Sequence, residues 1–162
     1  MKHNPGFLAL VERAKRGIKE CTIGEAKARL DRGEPVHFLD VREDHEYAKD
    51  HAKGARHLGR GILERDIETE IPDTHAPIIL YCGGGYRSAL AAGSLIEMGY
   101  TNVVSMDGGI RAWREAGYPI EKVKGQRAKG KSKKSGEKAK GKSKKARGVK
   151  NKKAKAKMKK AS

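Results

Sequence analysis

The chain has 162 residues, enough for one ordinary domain with a single buried core and not comfortably for two. Its formal charge of +17 is unevenly placed: residues 1–121 hold 17 Lys and Arg against 19 Asp and Glu, whereas residues 122–162 hold 20 against the single Glu137. No apolar run approaches the roughly 20 residues that cross a bilayer. The two cysteines, without C-x-x-C spacing or a signal peptide ahead of them, point to a soluble protein of the reducing cytoplasm.

From Phe7 to Glu20, Leu8, Val11, Ala14 and Ile18 recur at helical spacing, so residues 1–20 read as a helical extension. Cys21-Thr22-Ile23 is expected as a short strand, and Thr22 with Glu25 has the form of a capping box opening a second helix that Gly33 closes. Cys21 is expected to pack at that junction, since unpaired cysteine is among the most buried residue types. Val36 to Val41 is a mostly apolar run after Pro35, as in a strand covered on both faces of a parallel sheet, and it ends at the charged Asp40 and Arg42. The segment from Arg42 to Leu58 has mixed polarity, with a turn at Gly54 and a short strand near His57. His45, His51 and His57 fall six apart, which matches neither a helical face nor the usual zinc spacings, so no metal site is expected.

Ile62, Leu63, Ile67 and Ile71 predict a third amphipathic helix stopped by Pro72, and Pro77 then introduces a buried strand over Ile78 to Tyr81. Beyond the glycine-rich stretch that follows, Ser88 to Met98 reads as a helix with Gly99 at its end, its Ala89, Ala91, Ala92 and Gly93 allowing close approach to a sheet. Asn102 to Met106 is a further strand, Asp107-Gly108-Gly109 a turn suited to φ > 0, and Ile110 to Ala116 a last helix carrying the core residue Trp113, before Gly117-Tyr118-Pro119 closes a domain placed at residues 21–121. Strands alternating with helices over short loops predict an α/β fold with a doubly wound parallel sheet and helices on both faces. In such a sheet the loops beyond the carboxyl ends of the strands form the ligand crevice, which directs Asp40 and Arg42 toward Cys82. Residues 122–162, a block of Lys, Ala, Gly and Ser, cannot bury enough surface to offset ordering and are expected to be a disordered basic tail.

Cys82-Gly83-Gly84-Gly85-Tyr86-Arg87 carries the chemistry. Three glycines let backbone N–H groups converge without Cβ interference, and a helix N-terminus beyond them adds partial positive charge, so the loop is a cradle for an anion. The same field favours the thiolate of Cys82 and makes it the candidate nucleophile.

Taken together, Leu39-Asp40-Val41-Arg42, Glu46-Tyr47, His51 to Ala55 with His57-Leu58, Tyr81-Cys82 to Arg87-Ser88, and Met106 to Gly109 with Trp113 resemble the rhodanese (thiosulfate sulfurtransferase) family in order and spacing, over about residues 20–120. The resemblance implies about five parallel strands, a single-domain enzyme without cofactor, and a cysteine that becomes a persulfide. Carried over, Cys82 accepts sulfur; Gly83, Gly84, Gly85, Tyr86 and Arg87 form the substrate loop; Asp40 and Arg42 help to hold the site. The implied reaction moves sulfane sulfur from thiosulfate or a persulfide donor to cyanide or a thiol.

The spacing from Cys82 to Arg87 is C-x4-R, whereas cysteine phosphatases use C-x5-R to surround a tetrahedral phosphate, so phosphatase or arsenate reductase chemistry is a minor alternative. A non-catalytic rhodanese-like module that docks an anion or a peptide is another. The family's G-H-I turn is replaced by Asp50-His51-Ala52, and the triple glycine offers no side chain for discrimination. The basic tail suits sequence-independent binding of nucleic acid or another polyanion, since it has no aromatic residue to stack on bases.

Overall fold

The computed structural model describes residues 3–123, so the reading of 122–162 as a disordered polyanion-binding tail lies almost wholly outside the described residues. Pro5 opens α1 (Pro5–Lys15) at a position where its missing N–H costs nothing. The helix ends before Gly17, earlier than its apolar spacing suggests, because Ile18 leads into β1 (Lys19–Cys21), which takes up Glu20. That strand lies two residues upstream of the expected one: Thr22 is the N-cap of α2 (Ile23–Asp31), its hydroxyl accepting from the Glu25 amide while the Glu25 carboxylate accepts from the Thr22 amide.

Next come β2 (His37–Asp40), α3 (Asp44–Lys49), β3 (His51–Ala52), β4 (Arg56–His57) and α4 (Leu63–Glu70). The chain continues through β5 (Ile78–Tyr81), α5 (Tyr86–Glu97), β6 (Val103–Met106), α6 (Gly109–Glu115) and β7 (Ile120–Glu121). Five strands pair in the order β1-β6-β5-β2-β4, all parallel, while β3 and β7 form a separate antiparallel pair. Alternate residues of β5 feed two cores: Ile78 and Leu80 pack with Leu63 and Ile67 of α4 and Leu95 of α5, whereas Ile79 and Tyr81 pack with Ala26 of α2 and with Ile110 and Trp113 of α6. A strand with helices on both faces has no polar side, which is why β5 reads as an unbroken apolar run. Each of these buried Leu and Ile side chains contributes about 1.5–3 kcal/mol over exposure. Helix α1 lies outside α5, with Val11 fully buried.

The register sets the site. Asp40 pairs with Tyr81 and Leu80 with Ser105, so the ends of β2, β5 and β6 lie side by side and the next residues of each enter one crevice. Among the described residues no helix is long and apolar enough to cross a membrane.

Candidate active site

Cys82 follows the last residue of β5 and is 1% exposed, its sulfur accepting the Gly85 N–H at 3.2 Å and facing the Ser88 hydroxyl at 3.7 Å. Gly85 makes the first contact by standing at φ 94°, the left-handed region, as the N-cap of α5. The helix therefore starts at Tyr86 and not at Ser88, and both long side chains of the loop belong to its first turn. The single Ser88 proton is shared with the Gly85 carbonyl at 3.1 Å, and its oxygen accepts from the Ser105 hydroxyl at 2.9 Å, so two fully buried serines stand in line behind the sulfur.

The loop backbone is held from the other side by α6. The Ile110 amide donates to the Cys82 carbonyl at 2.8 Å and the Arg111 amide to the Gly83 carbonyl at 3.2 Å. So close an approach requires Gly109: a Cβ there would overlap the Cys82 carbonyl oxygen, and its φ of 54° is left-handed as well. At Gly84 a Cβ would meet only the Arg111 guanidinium, the movable end of an exposed side chain that lies against the loop.

Asp40 and Arg42, taken from the sequence as supports, form a buried pair at 0% and 3% exposure. Arg42 Nε lies 3.0 Å from both Asp40 oxygens, its Nη2 is 2.7 Å from Oδ2, and Nη2 also donates to the Asp50 carbonyl at 2.6 Å. Burial works against the guanidinium's charge, but the hydrogen bonds and charge of Asp40 prevail and raise its pKa. Arg42 still borders the cavity, with its positive charge neutralised by Asp40.

Arg87 pairs with Glu46 of α3 through two bonds of 2.6 and 2.9 Å. These bonds hold the Glu46 carboxyl down at about 2 and push the Arg87 guanidinium up. Helix α3, only six residues long, owes its place to Tyr47, whose ring is stacked between those of His51 and His57 at centroid distances of 3.9 and 4.6 Å. His57 Nε2 donates to the Arg42 carbonyl at 2.9 Å, so two of the three evenly spaced histidines brace the site. Cys21 packs against the α2 and α6 core, where burial pushes its thiol up to about 11.

Above the sulfur is a cavity of about 680 Å³. Sequence reasoning found its floor and missed most of its rim. Arg111 and Arg114 come from α6, three residues apart on one face, a spacing that could have flagged them. Lys49 comes from the end of α3, and His3 and Phe7 from the N-terminal segment, where the rings of His3, Phe7 and Tyr86 stand within 4.7 to 6.0 Å of one another. Nothing local marks these three.

A family model described as a rhodanese-like domain matches residues 22–116. The chain is 34% identical over 108 residues to the thiosulfate sulfurtransferase GlpE of Pseudomonas fluorescens, an alignment covering 67% of this chain and 94% of that one. It is similar to a solved protein of unknown function from Rhodopseudomonas palustris, described as a possible tyrosine phosphatase, with 32% identity, a TM-score of 0.64, and 75% of this chain and 98% of that chain covered. It is also similar to the polysulfide-sulfur transferase homodimer of Wolinella succinogenes, with 26% identity, a TM-score of 0.63, and 77% and 93% covered.

Proposed function

The chain belongs to the rhodanese-like domain family, and from that premise we propose that it is a single-domain sulfurtransferase carrying sulfane sulfur as a persulfide on Cys82. The observation that carries the reading is the sulfur's position: on the floor of a cavity with cations on its rim, with the Gly85 amide and the Ser88 hydroxyl aimed at it. In the first step the Cys82 thiolate attacks the outer sulfur of thiosulfate. A new S–S bond forms, the bond to the sulfite sulfur breaks, and sulfite leaves with that electron pair. In the second step an acceptor thiolate attacks the terminal sulfur of the persulfide, the bond to Sγ breaks, and the pair returns to Cys82. An organic persulfide or a polysulfide serves as donor in the same way, releasing the shortened thiolate or sulfide chain. Negative charge leaves and returns to Sγ in each cycle, and fixed donors need no reorganisation to meet it.

Phosphate chemistry fits less well. Arg87 stands in a C-x4-R loop and is engaged by Glu46, so it is not free to encircle a tetrahedral anion. The basic residues 122–162 are part of the proposal as a salt-sensitive, sequence-independent anchor to nucleic acid or another polyanion. Truncation after Glu121 is expected to remove that binding and leave sulfur transfer intact. A reducing compartment, which keeps Cys82 available as a thiolate, completes the proposal.

The test is intact mass after treatment with thiosulfate or an organic persulfide. One extra sulfur is expected on the wild type and none on Cys82→Ser. The absence of an adduct with every donor, alongside unchanged anion binding in Cys82→Ser, would instead mark a binding module, and turnover of p-nitrophenyl phosphate without persulfide would mark a phosphatase.

A further inference from the structure

The cavity is larger than thiosulfate or cyanide requires. At about 680 Å³ it falls in the range of roughly 300–1,000 Å³ typical of pockets that enclose drug-sized molecules. Its charges are not equally available. Arg42 is paired with Asp40, Arg87 with Glu46, and Arg114 with Asp50, whereas among the described residues Lys49 and Arg111 have no carboxylate partner. Both border the cavity, and Arg111 also lies against the loop, its Nε donating to the Gly83 carbonyl at 3.2 Å.

Part of the cavity lining, aromatic at His3 and Phe7, comes from outside the segment that matches the family. Residues 22–116 make that match, while His3, Asn4 and Phe7 of the N-terminal segment line the same cavity as Cys82. Helix α1 is fastened at both ends. Phe7 and His3 meet the Tyr86 ring, while Lys15 bridges Glu20 at 2.9 Å and reaches Asp107, beside the loop, at 3.7 Å. Between them Val11 is fully buried and Ala14 lies against Gly93 of α5. A cavity that combines the rings of this attached segment with two cations lacking a carboxylate partner suits a molecule with an apolar body and anionic ends.

We propose that α1 is a specificity element, and that the sulfur acceptor it selects is a carboxylate-bearing organic thiol. The carboxylates of that thiol meet Lys49 and Arg111, and its body lies along Phe7, His3 and Tyr86; the assignment rests on the sulfurtransferase reading above. The thiolate of such an acceptor enters from the rim and takes the terminal sulfur of the Cys82 persulfide, as in the second step already written.

Steady-state kinetics on the full chain test this, with thiosulfate as donor and cyanide, 2-mercaptoethanol or glutathione as acceptor. Phe7→Ala is expected to lower kcat/KM for glutathione about tenfold and to leave cyanide within about twofold. Phe7→Leu, which keeps bulk without the ring, is expected to fall between. Lys49→Gln is expected to lower the glutathione value about threefold at low salt, with the difference from wild type vanishing in high salt. A uniform loss across the three acceptors, or no loss with any, overturns the proposal while leaving sulfur transfer standing. Absence of turnover with every acceptor in the wild type overturns both readings.

Discussion

On the floor of the cavity the polar groups are buried and partnered: Cys82 with Gly85 and Ser88, Ser88 with Ser105, Asp40 with Arg42. On the rim, Lys49, Arg111 and Arg114 are exposed, His3 and Phe7 are half-buried, and these residues come from three separate elements. A buried polar group without its partner pays the whole desolvation penalty, so a floor can tolerate little change, whereas an exposed side chain can be exchanged at small cost to the fold. The difference suits a division of labour in which, on the proposed reading, the floor holds the chemistry and the rim is free to select what reaches it.

The largest effect expected is from Arg42→Ala. It strips Asp40, which has no access to water, of its charged partner, and should destabilise the domain by roughly 3–5 kcal/mol in urea unfolding. Lys49→Gln on the rim should stay within about 0.5 kcal/mol. If the two variants unfold at the same urea concentration, the distinction between floor and rim is wrong.

Gly109→Ala tests the same contrast through the backbone. The left-handed φ alone costs on the order of 1–3 kcal/mol for an alanine, and the new Cβ must also push the Cys82 carbonyl away from α6. Both a lower melting temperature and slower persulfide formation are expected. A loss of stability with an unchanged rate of adduct formation would show that α6 does not set the loop's geometry.

Much of the floor could be read from the chain because it is local. Cys82, the glycines and Arg87 lie within six positions, and Asp40 and Arg42 end one apolar run. The strands β2, β5 and β6 were legible as apolar runs and the larger helices from periodicity, as was the capping box at Thr22, whereas β1 was expected two residues further on and the count of five strands came from the family resemblance. Helix α3 was not legible, since six residues of mixed polarity carry no periodicity, although the Glu43 amide donates to the Glu46 carboxylate at 3.3 Å at its start. The β3 and β7 pair was also missed: two residues in each strand cannot show alternation, and their pairing joins segments far apart in the chain. The rim failed for that reason too, because a residue such as His3 gains meaning only when tertiary packing places it beside Tyr86. Ser105 is intermediate; it lay in an expected strand, but its place behind Cys82 follows from the β5–β6 register.

A smaller effect is expected behind the sulfur. Ser88→Ala removes a long hydrogen bond to Sγ, 3.7 Å, and should slow persulfide formation by about tenfold or less. Ser105→Ala leaves the Ser88 hydroxyl in place and should cost about 1 kcal/mol of stability with a still smaller change in rate. The reverse order, with Ser105→Ala slower than Ser88→Ala, would mean that the line of hydroxyls does not act on Cys82 through Ser88.

The Glu46 and Arg87 pair joins floor to rim and is partly open to water, and its contribution is expected to be the smallest, roughly 1 kcal/mol or less. Its sign with pH follows from the carboxyl held at about 2 by the Arg87 hydrogen bonds, against about 4.3 for an unfolded glutamate. Because the folded state binds the proton more weakly, the pair's stabilisation is complete above the unfolded value. It declines as pH falls from about 4.3 and is gone below about 2. Urea midpoints measured between these limits should therefore fall less steeply for Glu46→Gln than for the wild type, and added salt should narrow the gap. Equal slopes would show that Arg87 gains nothing from Glu46 in the fold and stands free to face substrate, which would move it from the bridge between the two regions onto the floor.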